Sequence, residues 1–181
     1  MAFYRKFIPS LYYPTIFDID YLLLKKEGIT TLFFDLDNTI IPNDVKQIDN
    51  KSLEFLQQLQ QNFKVLILSN NVLQRVKFAS FTIPYVYKAN KPLKKGFKQA
   101  LKLVNSTKEE TASIGDQLLT DIFGSRRVHL KHQILVNPLN KRADLKRTRF
   151  NRFLAKHFIK KIKKHDFVSY SDKLREYDEK V

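Results

Sequence analysis

The chain has 181 residues, 43% of them hydrophobic, which is one domain's worth of sequence with enough apolar material for a sizeable core. It holds no cysteine, which excludes disulfides, thiolate metal centres and cysteine nucleophiles, and no apolar run approaches the roughly 18–20 residues that span a bilayer. Thirty-three Lys and Arg against eighteen Asp and Glu give a net charge of +15, so the expected partners are anionic: phosphorylated substrates, an anionic membrane surface or nucleic acid.

The opening stretch is rich in Tyr and Phe, contains Pro9 and Pro14, and reads as irregular. No cleavable leader is evident behind Arg5 and Lys6, so the chain is expected to be retained in the cytoplasm. Asp18 is a plausible N-cap for a short helix to Glu27, stopped by Gly28, with Ile19, Leu22 and Leu23 on its apolar face. Ile29 to Phe34 follows as a strand whose unbroken apolarity suits the centre of a parallel sheet. A turn at Ile40–Asp44 leads to a helix from Asp49 or Ser52 to about Asn62. Lys64–Leu68 is a second buried strand, ending at Ser69-Asn70-Asn71. Helical residues follow from Val72, and Tyr85–Tyr87 is a short third strand whose exit is Asn90-Lys91-Pro92. Leu93–Val104 is a helix, Thr111–Ile114 a fourth strand closing on Gly115-Asp116, Leu118–Phe123 a helix and His132–Val136 a fifth strand. Strands alternating with helices of about ten residues predict an α/β fold, three-layered and Rossmann-like, around a mainly parallel sheet.

In such a sheet the strand exits converge on one edge. They bring together Asp35, Asp37 and Thr39, then Ser69 and Asn70, then Lys91, then Asp116 and Asp121. Carboxylates packed this closely repel one another unless a divalent cation sits among them, and all-oxygen donors suit Mg²⁺. A lysine, hydroxyls and strand-end amides beside them are suited to phosphoryl oxygens, so the set predicts metal-assisted phosphoryl transfer. The four histidines, His129, His132, His157 and His165, have no spacing suited to a metal cluster.

Four stretches, FFDLDNT (33–39), LILSNN (66–71), NKP (90–92) and IGDQLLTD (114–121), stand in the order of the four motifs of the haloacid-dehalogenase-like (HAD) phosphohydrolases, which the chain strongly resembles. The resemblance implies Asp35 as the nucleophile that forms an aspartyl-phosphate and Asp37 as general acid and then base. It also implies Thr39, Ser69, Asn70 and Lys91 on the phosphoryl oxygens. Asp35, the Asp37 carbonyl and Asp116 would hold Mg²⁺, with Asp121 supporting metal-bound water or Lys91. Only 29 residues separate Thr39 from Ser69 and 21 separate Ser69 from Lys91, too few for a folded cap domain, so an open, capless site of subclass IIIA is expected. The stretch from Phe17 into FFDLDNTIIP, with GDQLLTD and the basic segment 146–164, is similar to the bacterial YqeG branch, itself similar to the mitochondrial phosphatidylglycerophosphate phosphatases. One departure stands after the last motif, where Gly124-Ser125-Arg126-Arg127 replaces a Gly-Gly-Asn-Arg pattern, with Arg127 still in register.

Four divisions are expected: an N-terminal segment over 1–28, the catalytic core over 29–140, a basic amphipathic helix over 141–165 and a mixed-charge, poorly ordered tail over 166–181. Between Lys141 and Lys164 stand eleven Lys and Arg against the single acid Asp144. Phe150, Phe153, Leu154, Phe158 and Ile162 fall near one helical face, with Arg149, Arg152, Lys156, Lys160 and Lys163 largely off it. Such a helix either lies in an anionic membrane interface, presenting those cations and Arg127, or packs its apolar face on the sheet and leaves its charges in water. A phospholipid phosphate, first of all phosphatidylglycerophosphate, is the substrate the resemblance implies, with peripheral contact at the inner membrane face. The alternatives are the same chemistry on a nucleotide, nucleic-acid end or phosphoprotein, and an RNA- or ribosome-associated binding module. The sequence leaves the oligomeric state open.

Overall fold

A computed structural model describes residues 2–80 and 82–181; Met1, the first residue of the N-terminal segment, and Phe81 lie outside the described residues. In chain order the elements are β1 Leu11–Tyr13, α1 Tyr21–Lys26, β2 Thr31–Phe34, α2 Asn50–Gln60, β3 Lys64–Leu68, α3 Leu73–Ser80 and β4 Tyr85–Val86. They continue as α4 Lys94–Leu103, β5 Thr111–Gly115, α5 Gly124–Arg127, β6 His132–Val136, α6 Lys146–His165, α7 Phe167–Lys173 and α8 Arg175–Lys180. A wider π-helical turn, Leu118–Phe123, leads into α5.

The six strands are all parallel, in the order β1-β6-β5-β2-β3-β4. From central β2 the chain first builds outward through β3 and β4, then returns to the other side of β2 for β5 and β6. The crevice where the direction reverses therefore opens between the carboxyl ends of β2 and β5, where open α/β sheets hold their ligands. Each residue of β2 is buried, and alternation sends its side chains to opposite layers. Leu32 and Phe34 join the layer of Leu24, Leu56, Leu59 and Val76, and Phe33 joins that of Phe97 and Ala100. Leu135 of β6 meets Ile159 and Ile162 of α6.

Four expectations are corrected. The Tyr-rich opening stretch supplies a sixth strand, β1, which pairs with β6 from Leu11↔Ile134 to Tyr13↔Val136; three half-buried edge residues carry no legible alternation. Helix α1 starts after Asp20, whose carboxylate accepts from Leu23 N at 2.8 Å, because Asp18 is already engaged by Thr15 N and Oγ1. Its inward residue is accordingly Leu24, and Leu22 and Leu23 face solvent.

The third correction concerns α6. Its buried stripe is Arg152, Ala155, Ile159 and Ile162, while Phe150 and Phe153 are 59% and 70% exposed. Phe158 alone of the expected phenylalanines turns inward, stacking on Phe7 with centroids 3.9 Å apart. Arg152 belongs to that stripe because it is drawn in by two buried carboxylates, Asp116 and Asp144. The fourth correction is the tail: residues 166–181 form α7 and α8, with Asp166 capping α7 through Ser169 N at 3.2 Å and Tyr170, Leu174 and Tyr177 buried in the α6 layer. Among the described residues no helix is long and apolar enough to cross a membrane.

Candidate active site

Asp35 extends β2 by one residue, its N–H donating to Ile114 O at 2.9 Å, so it stands at the crevice with its side chain buried. The chain then turns sharply, Ile40 N donating to Leu36 O at 3.0 Å and Asn38 adopting φ 64°, a conformation Asn tolerates better than most residues. Lys91 arrives from beyond β4. Its backbone is clamped by Asn70, which accepts from Lys91 N at 2.6 Å and donates to Lys91 O at 2.9 Å. The clamp aims Lys91 Nζ between Asp35 Oδ1 (2.7 Å) and Asp121 Oδ1 (2.6 Å). Asn70 thus positions Lys91 by holding its backbone.

Asp116 follows β5, one strand from Asp35. Carboxylate oxygens of Asp35, Asp116 and Asp121 lie within 4.8 Å of one another. Their approach depends on Gly115, since a Cβ there would collide with the Asp121 side chain. Asp121 has both oxygens engaged, Oδ1 by Lys91 and Oδ2 by Gln117 N at 3.1 Å and Thr120 Oγ1 at 3.2 Å. The oxygens of Asp35 and Asp116 without a short hydrogen bond are Asp35 Oδ2 and Asp116 Oδ1, the latter with only a long 3.5 Å contact from Thr39 Oγ1. A buried, all-oxygen set of this kind fits a hard divalent cation better than a soft one.

Burial pushes the Asp35 carboxyl well above the usual range, the Lys91 ammonium opposing and the other carboxylates reinforcing it. Asp116 is pushed up to about 6 by burial, against the pull of the Arg152 guanidinium. Burial alone would lower Lys91, but Asp121 and Asp35 outweigh it and keep the ammonium charged. Two cations, Lys91 and Arg152, thus stand against four buried carboxylates, Asp35, Asp116, Asp121 and Asp144, a deficit of positive charge that a bound cation would offset.

Asp37 sits differently. Its Oδ1 accepts from Arg75 Nε at 3.0 Å and Nη2 at 2.9 Å, and its Oδ2 from Asn71 Nδ2 at 3.2 Å. Its carboxylate therefore lies outside the acidic cluster, and any metal role is left to its backbone. Arg75, which also reaches the carbonyls of Pro42 and Val45, was not singled out by the sequence, where one Arg within α3 has no distinguishing pattern. Ser69 is buried at the end of β3, its Oγ accepting from Asn71 N at 3.0 Å.

Asp35, Asp37, Ser69, Asn70, Asn71 and Lys91 line one side of an open cleft. Its opposite wall holds Gln117, Leu145, Arg147 and Asn151, so the first turn of α6 borders the cleft. The remaining predicted surface cations divide. Arg149, Lys156, Lys160 and Lys163 are exposed. Arg127 instead donates to Pro92 O at 3.1 Å and lies over the Phe123 ring, supporting the Lys91 loop. Arg152 is buried beneath the site and is not available to an external anion.

The family model described as mitochondrial PGP phosphatase matches residues 1–78. A solved structure of a protein from Listeria monocytogenes serotype 4b has 21% identity and a TM-score of 0.49, covering 65% of this chain and 83% of its own. The N-terminal part of BF1531 from Bacteroides fragilis, containing a phosphatase domain complexed with Mg, has 14% identity and a TM-score of 0.41, covering 73% of this chain and 42% of its own. Among curated proteins, the probable phosphatase YqeG of Bacillus subtilis (strain 168) is 34% identical over 169 residues, covering 92% of this chain and 97% of YqeG. With that identity along nearly the whole of both chains, and the motif residues gathered at one crevice of a parallel sheet, the chain belongs to the YqeG family of capless HAD phosphatases.

Proposed function

We propose that this phosphatase cleaves phosphomonoesters with Mg²⁺ through an aspartyl-phosphate on Asp35. The observation that carries the reading is Lys91 held between Asp35 and Asp121 beside the buried trio of carboxylates. Asp35 and Asp116 would hold Mg²⁺ through their free oxygens, and the bound ion would offset charge on the phosphoryl oxygens and keep both carboxylates ionised. A carboxylate oxygen of Asp35 attacks phosphorus as the bond to the leaving oxygen breaks, and Asp37 gives that oxygen its proton. Water then attacks the phosphorus of the acyl phosphate, Asp37 takes its proton, and inorganic phosphate leaves with Asp35 restored. Ser69 and Thr39 offer hydroxyls to the phosphoryl oxygens, and Lys91 offsets their growing charge.

The first substrate proposed is phosphatidylglycerophosphate. It is supported by the family whose model matches the N-terminal part of the chain and by an open cleft that accepts a headgroup presented at a surface. The exposed side of α6 favours peripheral contact with an anionic bilayer: Phe150 and Phe153 project to solvent among Lys146, Arg149, Lys156 and Lys160, and α6 contains no acidic residue. Apolar side chains without a polar tip suit a lipid interface better than a phosphate backbone. The test is phosphate release from mixed micelles containing phosphatidylglycerophosphate, beside a nucleotide and phosphosugar panel, with Mg²⁺ or EDTA. Release from the lipid that is lost with EDTA and with Asp35→Asn is expected. Cleavage confined to the soluble phosphates would remove the lipid assignment.

A further inference from the structure

Arg152 is one of nine Lys and Arg in α6, and its side chain is the buried one among them. Its Nε donates to Asp144 Oδ2 at 2.6 Å and one Nη to the Asp116 carbonyl at 3.1 Å, while the other Nη binds Asp116 Oδ2. Tyr177, from α8, donates to the same carbonyl at 2.6 Å and lies 3.1 Å from the guanidinium. Asp144 is tied in turn to the turn after β2: its Oδ1 accepts from Asn38 Nδ2 at 2.6 Å and Asn43 Nδ2 at 3.3 Å. A continuous buried path thus runs Asn38–Asp144–Arg152–Asp116, joining the turn that carries Asp37 and Thr39 to the end of β5. None of its members is more than 7% exposed.

Two carboxylates and one guanidinium taken this far from water persist only with their hydrogen bonds well met, and the planar fork of Arg meets them in a way an ammonium cannot. The arrangement also assigns the oxygens of Asp116. Oδ2 is held in the fork, and Oδ1 is left with only the long 3.5 Å contact from Thr39 Oγ1.

We propose that Arg152, locked by Asp144, is a positioning residue of the phosphatase site, fixing Asp116 so that one set oxygen meets the cation. On this account the C-terminal helices are part of the catalytic unit. The proposal rests on the proposed function, in which Asp35 and Asp116 hold a divalent cation.

Two roles for Arg152 predict opposite signs. If it only balances buried charge, replacing it with Gln removes a cation next to the metal, and metal binding tightens or stays unchanged, while Lys behaves as wild type. If it positions Asp116, both variants weaken binding, because Lys keeps the charge and loses the fork. The experiment is Mn²⁺ binding to the full chain, followed by electron paramagnetic resonance, with the Mg²⁺ concentration for half-maximal hydrolysis of an aryl phosphate measured alongside. Wild type, Arg152→Lys, Arg152→Gln and the exposed control Lys102→Gln on α4 are compared, with circular dichroism to show that each is folded.

The expected result is Mn²⁺ binding about tenfold or more weaker in both Arg152 variants, the usual range for removing a partner of a metal ligand, with the control unchanged. Where an Arg152 variant does not fold, Asp144→Asn and Tyr177→Phe carry the test, each expected to weaken Mn²⁺ binding by a smaller factor. Wild-type affinity in folded Arg152→Lys, or tighter binding in Arg152→Gln, overturns the positioning role and leaves the phosphatase reading intact. Absence of Mn²⁺ binding by the wild type overturns the cation assignment itself, and the positioning role with it.

Discussion

A carboxyl buried among other carboxyls keeps its proton to higher pH, and Asp116 is a clear case. Its folded pKa of about 6 lies above the ordinary value of 3.8, so the stability it contributes is present at low pH and is lost as pH rises through about 6. Asp35 is displaced in the same direction. A divalent cation needs both groups deprotonated, so proton and metal compete for them. Stabilisation by saturating Mg²⁺ is therefore expected to grow as pH rises from about 5 to about 7.5, reaching about 2.7 kcal/mol at a hundredfold excess over Kd. Thermal melts with Mg²⁺ and with EDTA at the two pH values check this, and equal shifts at both would contradict it. Arg75 gives a second prediction. With two N–H groups on Asp37 Oδ1, it fixes the group assigned to proton transfer. Arg75→Ala is expected to lower kcat by about tenfold or more with Mn²⁺ affinity unchanged, the tenfold corresponding to about 1.4 kcal/mol of lost transition-state stabilisation. Unchanged kcat would show that the ion pair does not serve the chemistry.

At the scale of elements, the site depends on close approach as much as on chemistry. Gly115 ends β5 where any Cβ would strike Asp121, and Asp121 in turn holds Lys91. Gly115→Ala is expected to cost about 1–3 kcal/mol of stability by overpacking and to remove most phosphate release, since Lys91 would lose its second carboxylate. A folded variant with wild-type turnover would contradict this placement. The strand-exit residues were legible in the sequence because each ends a short apolar run, and a parallel sheet gathers such ends at one edge. The partners were not. Arg75 shares α3 with Lys77 and Arg152 is one of nine Lys and Arg on α6, and neither periodicity nor charge separates them from their solvated neighbours. The inward face of α6 misled for a related reason: a hydrophobic pattern assumes that apolar residues face in, whereas here two buried carboxylates draw an arginine inward, and Phe150 and Phe153 fall outside.

In the whole molecule, the order of strands and helices from β2 to β6 follows the sequence closely, while both ends of the chain carry structure that no sequence pattern revealed. Strand β1 completes an edge of the sheet, and α7 and α8 bury Tyr170, Leu174 and Tyr177 against α6. Short edge strands and one-turn to two-turn helices gain their order from tertiary burial, which no local pattern announces. Truncation after His165 is expected to lower Tm and to reduce phosphate release together, since it removes Tyr177 from the Asp116 carbonyl. Co-sedimentation with vesicles containing anionic phosphatidylglycerol is expected for the wild type and to fall in Phe150→Ser/Phe153→Ser with turnover of a soluble aryl phosphate retained; equal sedimentation would move the contact elsewhere. The central claim, a phosphoryl group carried on Asp35, is tested most directly by rapid acid quench of a single turnover, followed by mass spectrometry of the peptide containing Asp35. A transient phosphate adduct on Asp35, absent in Asp35→Asn, is the predicted result; substrate consumed by the wild type, with no adduct on that peptide at any quench time, would contradict it.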